Sequence, residues 1–199
     1  SKDLLEYEDY QKSPTLGSAS EFISQAIELH MGELSGRSGY LKYMGTRPRV
    51  EKQGSHGLFS YDGEPISLNK VAQEVDAHRG NIWTAIYSLR REDAARLGYD
   101  DAGQWKNLIA GYAMEMAEAM KIPWEQFRWY AAFHDQGHHP HVHMVCYSAD
   151  GRSGFLTREG IARIKSDLAQ RIFRQELYEL YERQTQRRDE LTQKAGAVM

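Results

Sequence analysis

Only one cysteine, Cys146, occurs in the 199 residues, so an intramolecular disulfide is impossible and a zinc site built on thiolates is excluded. That usage fits a reducing cytoplasm, the localisation expected here. No apolar stretch approaches the roughly 20 residues needed to cross a bilayer, and no signal or transit peptide is visible at the start. The chain begins without Met, and it is expected to be a piece of something longer. No excess of one charge marks the whole: the formal net charge is -3, which argues against a uniformly basic nucleic-acid coat. Charge is instead clustered. Basic residues gather in Arg37 to Lys52 and Arg158 to Arg188, acidic ones in the first ten residues and around Asp93 to Asp101. No internal repeat or low-complexity tract is found. With 41% hydrophobic and 27% charged residues, the composition is that of a globular domain with room for one sizeable core.

What is present is a concentration of histidine. The segment His134-Asp-Gln-Gly-His-His-Pro-His141-Val-His143 precedes the apolar run Met144 to Tyr147. In an extended chain alternate side chains share a face, so His141 and His143 point together while Val142 turns into the opposite layer. Upstream, Phe127-Arg-Trp-Tyr-Ala-Ala-Phe-His134 has strand composition, and the interval Asp135 to Pro140 is short, polar and carries Gly137 and Pro140, as a hairpin connection should. A closed hairpin sets His134 opposite His141. Three neutral imidazoles leave part of a divalent ion's coordination shell open, which suits a catalytic site better than a closed structural one. A lone histidine is usually a satisfied core residue; three at this spacing beside an apolar strand point to metal. His138 and His139 are assigned to the turn. Asp135 either orients an imidazole, as carboxylates commonly do, or caps the turn.

Along the chain, residues 1–17 read as an N-terminal arm and 18–199 as one domain ending in a long C-terminal helix. A helix is predicted from Ser18, with Phe22, Ile23, Ile27 and Leu34 as its apolar positions. Ser35 to Gly39 interrupts it, and Tyr40, Leu41 and Met44 continue an amphipathic turn ending at Gly45. Further helices are predicted at Leu68 to His78 and Asp101 to Met120, the second on the spacing of Trp105, Leu108, Ile109, Tyr112 and Met116. Ile82 to Leu89 alternates β-branched and aromatic residues and is predicted as a central strand. Asp150 to Gly154 is a turn, and from Thr157 a helix runs toward Thr192 with Ile161, Ile164, Leu168 and Ile172 apolar. The fold class is therefore α+β: an antiparallel central sheet with helices packed on one face and the histidines on the other.

A three-histidine site with open positions acts as a Lewis acid and needs its nucleophile from elsewhere. Twelve tyrosines cannot be separated by counting. Tyr43 stands out by context, because Arg47, Arg49 and Lys52 follow it and could clamp phosphates. Tyr40, three residues back on about the same helical face, is the rival, and both are also readable as half-buried aromatics.

The pattern His134, six residues, His141, one apolar residue, His143 resembles the signature of the His-hydrophobic-His endonucleases, specifically the mobilisation relaxases of the MobA/MobL type. Tyr40-Leu-Lys-Tyr43-Met-Gly-Thr-Arg-Pro-Arg-Val-Glu51 resembles their nucleophile segment. Gly54-Ser-His-Gly-Leu-Phe59, Ser88-Leu-Arg-Arg-Glu-Asp-Ala94 and Phe127 to Tyr130 add to the likeness, which covers roughly residues 21–188. The resemblance implies that His134, His141 and His143 bind a divalent metal ion, Mg or Mn first and Zn or Ni as alternatives, and that Tyr43 is the nucleophile. It implies nicking of single-stranded DNA at the transfer origin of a plasmid or conjugative element, giving a 5′-phosphotyrosine and a free 3′-hydroxyl that can rejoin, with accessory mobilisation proteins as further partners. Asp135 or His56 is then a candidate to draw off the phenol proton. Two features depart from the family pattern. An acidic extension and helix stand where a short strand often opens the fold, and the chain stops at Met199 where relaxases usually continue, so the nicking domain alone is expected. Rival functions are a rolling-circle replication initiator, a non-catalytic DNA-binding domain of the same fold, and an unrelated metal hydrolase.

Overall fold

The computed structural model describes residues 8, 11–13, 36–61, 65–136, 139–174, 182, 184, 185, 187 and 188. The helix expected from Ser18, most of the N-terminal arm and the turn residues Gly137 and His138 lie outside these. The chain divides into two compact units, Ser1–Leu156 and Thr157–Met199.

In the first unit, residues 36–46 form helix α1. Gly36 sits at φ 72°, a left-handed conformation that glycine adopts cheaply, and residues 37–39, expected to belong to the break, are helical. Tyr40, Leu41 and Met44 are buried along one side of α1. The sheet is antiparallel and has four strands in the order β1 (Leu58–Phe59), β3 (Phe127–His134), β4 (His141–Ser148), β2 (Ile82–Ser88). The predicted hairpin is present as β3–β4, with His134 paired directly to His141 and Ala132 to His143.

Strand β2 is an edge strand among the described residues, where a central one was expected. Its composition misleads because both of its faces are lined with apolar groups: Ile82 and Ile86 lie on the side of Tyr147 and His143, and Trp83 and Tyr87 on the side of Cys146 and Val142. Large β-branched and aromatic residues suit a half-buried strand whether or not another strand pairs with its outer edge.

Helix α2 (Leu68–Ala77) buries Val71, Ala72 and Val75. These join Tyr40, Leu41 and Met44 of α1 in one cluster with Ala132, Val145 and Tyr147, which share the histidine face. Helix α3 (Arg91–Leu97) follows β2, and helix α4 (Ala102–Ala119) begins at Asp101, whose side chain accepts from Gln104 N at 2.9 Å. Trp105, Ile109, Tyr112 and Met116 of α4 are buried. This helix packs on β3, and just beyond its end Met120 Sδ lies 3.7 Å from Cys146 Sγ, on the face opposite the histidines. Helices therefore cover both faces: α4 occupies one, as predicted, and α1 and α2 also cover the histidine face that was expected to stand open.

In the second unit, helix α5 (Arg158–Ile172) is capped by Thr157, which accepts from Gly160 N at 3.1 Å. Its expected continuation toward Thr192 falls mostly outside the described residues. Among the described residues no helix is long and apolar enough to cross a membrane.

Candidate metal centre

The hairpin register brings the three histidines together. His134 and His141 face each other across the β3–β4 ladder, and His143 stands two residues along the same face. Their ring centroids are 5.2, 4.7 and 5.0 Å apart, and one nitrogen from each ring lies within 4.8 Å of the others. All three side chains are fully buried.

Each imidazole is oriented through its other nitrogen. Four residues after Met44 stands Pro48, which has no N–H, so the Met44 carbonyl cannot find its usual helical donor. His134 Nε2 takes that place, 2.8 Å from Met44 O. His141 Nδ1 lies 2.9 Å from the His139 carbonyl, and His143 Nδ1 lies 2.9 Å from the Tyr40 hydroxyl. The carbonyl contacts put the protons of His134 and His141 on the outward nitrogens. His134 Nδ1 is thereby left buried with no hydrogen-bond partner, and a buried acceptor in that state is unfavourable by about 1–3 kcal/mol. Such an orphan atom facing two other imidazoles fits a bound cation. Burial, then the neighbouring histidines, then Arg47 push the His134 pKa far down from its usual value. Burial, His141 and Arg47 do the same for His143. Both rings are consequently neutral at physiological pH, the form that metal ligation requires.

Helix α1 sets the two tyrosines beside this cluster at different depths. Tyr40 is 6% exposed; burial, with Tyr43 nearby, raises its pKa. Tyr43 is only half-buried, and burial raises its pKa as well. The Arg47 guanidinium carbon lies 5.3 Å from the centre of the Tyr43 ring, and Arg47 Nη2 donates to Gln136 Oε1 at 2.7 Å. One side chain thus joins the end of α1 to the hairpin turn. Burial, and then Arg49, lowers the Arg47 pKa to about 10, which still leaves it charged at neutral pH.

The segment after α1 is stitched to the outer edge of β3. Val50 bridges His134, Glu51 N donates to the Phe133 carbonyl at 3.0 Å, and Asp135 N donates to the Arg49 carbonyl at 3.1 Å. Gly57 closes this loop where a Cβ would stand 2.3 Å from Val50 Cγ2 and 2.7 Å from Glu51 O. Arg49 and Lys52 are exposed. Arg49 holds φ 69°, an unfavourable backbone conformation for a residue with a side chain.

Asp135 and His56, the two candidates for the phenol proton, each have defined contacts. The Asp135 carboxylate accepts from Arg91 Nη2, with its side chain 59% exposed. His56 uses both ring nitrogens locally, Nδ1 accepting from Leu58 N at 3.1 Å and Nε2 lying 2.8 Å from the Ile66 carbonyl. His139 lies between the two strands as assigned, but the sequence reading missed that it is buried and that its carbonyl orients His141. It also missed the Met44 carbonyl, for which the spacing to Pro48 is a readable signal.

The sequence profile of the MobL relaxases matches residues 11–199. The chain belongs to the MobL relaxase family. A relaxase is a DNA-nicking enzyme of mobilisation that acts on single-stranded DNA, and in this relaxase the buried histidine triad could hold a metal ion. Neither the curated proteins nor the solved structures contain a match.

Proposed function

We propose that this relaxase cuts one strand at a transfer origin by attack of the Tyr43 hydroxyl oxygen on the scissile phosphorus. The bond formed is Tyr43 Oη–P and the bond broken is P–O3′. The phenol proton passes overall to the departing 3′ oxygen, leaving a 5′-phosphotyrosine and a free 3′-hydroxyl. Because the ester is kept in the protein linkage, the 3′-hydroxyl can reverse the step and rejoin strands.

The observation that carries this reading is the convergent triad tied by the His134–Met44 hydrogen bond to the residue next to Tyr43. His134, His141 and His143 would hold a divalent cation, which supplies Lewis-acid withdrawal of charge from the phosphate's non-bridging oxygens. The donor group contains no carboxylate, and three imidazoles suit Mn, Zn or Ni better than Mg. Tyr43 is favoured over Tyr40 because it is the more exposed of the two and a DNA phosphate must reach it. A charged guanidinium against its ring stabilises the phenolate that forms as the proton leaves. Arg49 and Lys52, exposed after α1, would hold the DNA backbone.

The test is a single-stranded oligonucleotide spanning a transfer origin, incubated with the protein and Mn²⁺. A covalent adduct that survives denaturation is expected, and Tyr43→Phe should reduce it to background. An adduct that persists in Tyr43→Phe and disappears in Tyr40→Phe would transfer the nucleophile to Tyr40. Cleavage without any adduct would favour a metal hydrolase.

A further inference from the structure

We infer that Tyr40 is a positioning residue for the metal centre, its hydroxyl fixing the orientation and tautomer of His143. This rests on the reading of the triad as a cation site.

The Tyr40 hydroxyl lies 2.9 Å from His143 Nδ1, in a buried contact between residues 103 apart in the chain. The two rings meet edge to face with centroids 6.1 Å apart. Ligation through Nε2 requires the ring proton on Nδ1, and a proton there needs an acceptor. The Tyr40 oxygen is that acceptor. For His134 and His141 the same service comes from the carbonyls of Met44 and His139; His143 is held through a side chain and is the member whose support a substitution can remove. At 6% exposure Tyr40 is too enclosed to meet a phosphate, whereas its place in α1, three residues before Tyr43, links the nucleophile helix to a second ligand. Partners of this kind, acting on a ligating histidine through its far nitrogen, typically change metal affinity 10- to 100-fold.

Tyr40→Phe removes the oxygen and keeps the ring. Three measurements on the purified full chain decide the matter: Mn²⁺ affinity by calorimetry, the visible absorption bands of the Co²⁺-loaded protein, and adduct formation over a range of Mn²⁺ concentrations. Tyr40→Phe is expected to weaken Mn²⁺ binding about 10- to 100-fold, to shift the Co²⁺ bands, and to form adduct again at saturating Mn²⁺. Thermal unfolding of the ion-free variant should move only modestly downward, because the buried His143 Nδ1 loses this contact. Unchanged Mn²⁺ affinity and Co²⁺ bands in Tyr40→Phe would overturn the role of Tyr40 while leaving the triad intact. Loss of adduct even with Mn²⁺ bound would make Tyr40 a reacting group and overturn it too. If the parent protein binds neither ion, the reading of the triad fails, and this inference with it.

Discussion

The two faces of the β3–β4 hairpin are sealed equally and filled oppositely. Phe133, Val142 and Met144 on one side and His134, His141 and His143 on the other all have no solvent exposure. The first set is an apolar layer on the side where α4 packs. The second is a polar interior whose rings each use one nitrogen to reach α1 or the turn, and one of which keeps an acceptor without a partner. Burial alone therefore does not distinguish a core from a site; the distinction lies in what the buried atoms still lack.

The largest effect that would test this contrast comes from truncating one residue on each face. Met144→Ala removes apolar packing and should destabilise the fold by about 2–5 kcal/mol. His134→Leu removes the orphan Nδ1 but also takes the donor from the Met44 carbonyl, two effects of about 1–3 kcal/mol and opposite sign, so it should change the stability of ion-free protein by only about 1 kcal/mol, yet abolish Mn²⁺ binding and adduct formation. Urea denaturation in EDTA, beside calorimetry with Mn²⁺, measures both. Equal destabilisation by the two substitutions would break the contrast.

A smaller effect is expected from pH. His134 and His143 stay neutral in the fold because burial holds their pKa values down, whereas in the unfolded chain they titrate near 6.5. Below about pH 6.5 the unfolded state takes up protons that the folded state does not. Stability of ion-free protein should therefore fall as the pH drops below that value and be level above it, with a slope of about 1.4 kcal/mol per pH unit for each histidine. Denaturation at pH 5, 6 and 7 reads the slope, and His134→Leu should remove one histidine's share of it. An apolar substitution on the other face should leave the slope unaltered.

The smallest expected change lies at the rim. Arg49→Gly relieves the left-handed backbone at φ 69° and should raise stability by up to about 1 kcal/mol. If Arg49 touches DNA, the same change weakens oligonucleotide binding and reduces the salt dependence by about one phosphate contact. Tighter or unchanged binding would remove Arg49 from the DNA surface.

How much of this was legible follows from which signals are local. The hairpin was readable because the strand composition of Phe127 to His134, the alternation of His141 and His143 ahead of an apolar run, and the polar turn between the strands are properties of neighbouring residues. Helix α4 was readable from its apolar spacing. Helix α3 was not, being seven residues long with Ala94 as its buried residue, although Glu92 and Asp93 at its start and Gly98 at φ 77° after its end mark its limits. The two-residue strand β1 is defined by its partner alone. Within the site, the three histidines announced themselves by spacing, but the Tyr40–His143 and Arg47–Gln136 contacts depend on tertiary folding. No local pattern encodes them.

By withholding an amide from Met44, Pro48 obliges the final turn of α1 to borrow a donor from a strand 90 residues away. The ring that lends it belongs to the triad, so anything that draws electron density out of the His134 imidazole makes its N–H more acidic and tightens its grip on the helix. Seating of the helix and loading of the site are then reciprocal, each favouring the other by the same free energy. A Pro48→Ala chain, in which Met44 could turn to an ordinary helical amide, would separate the two.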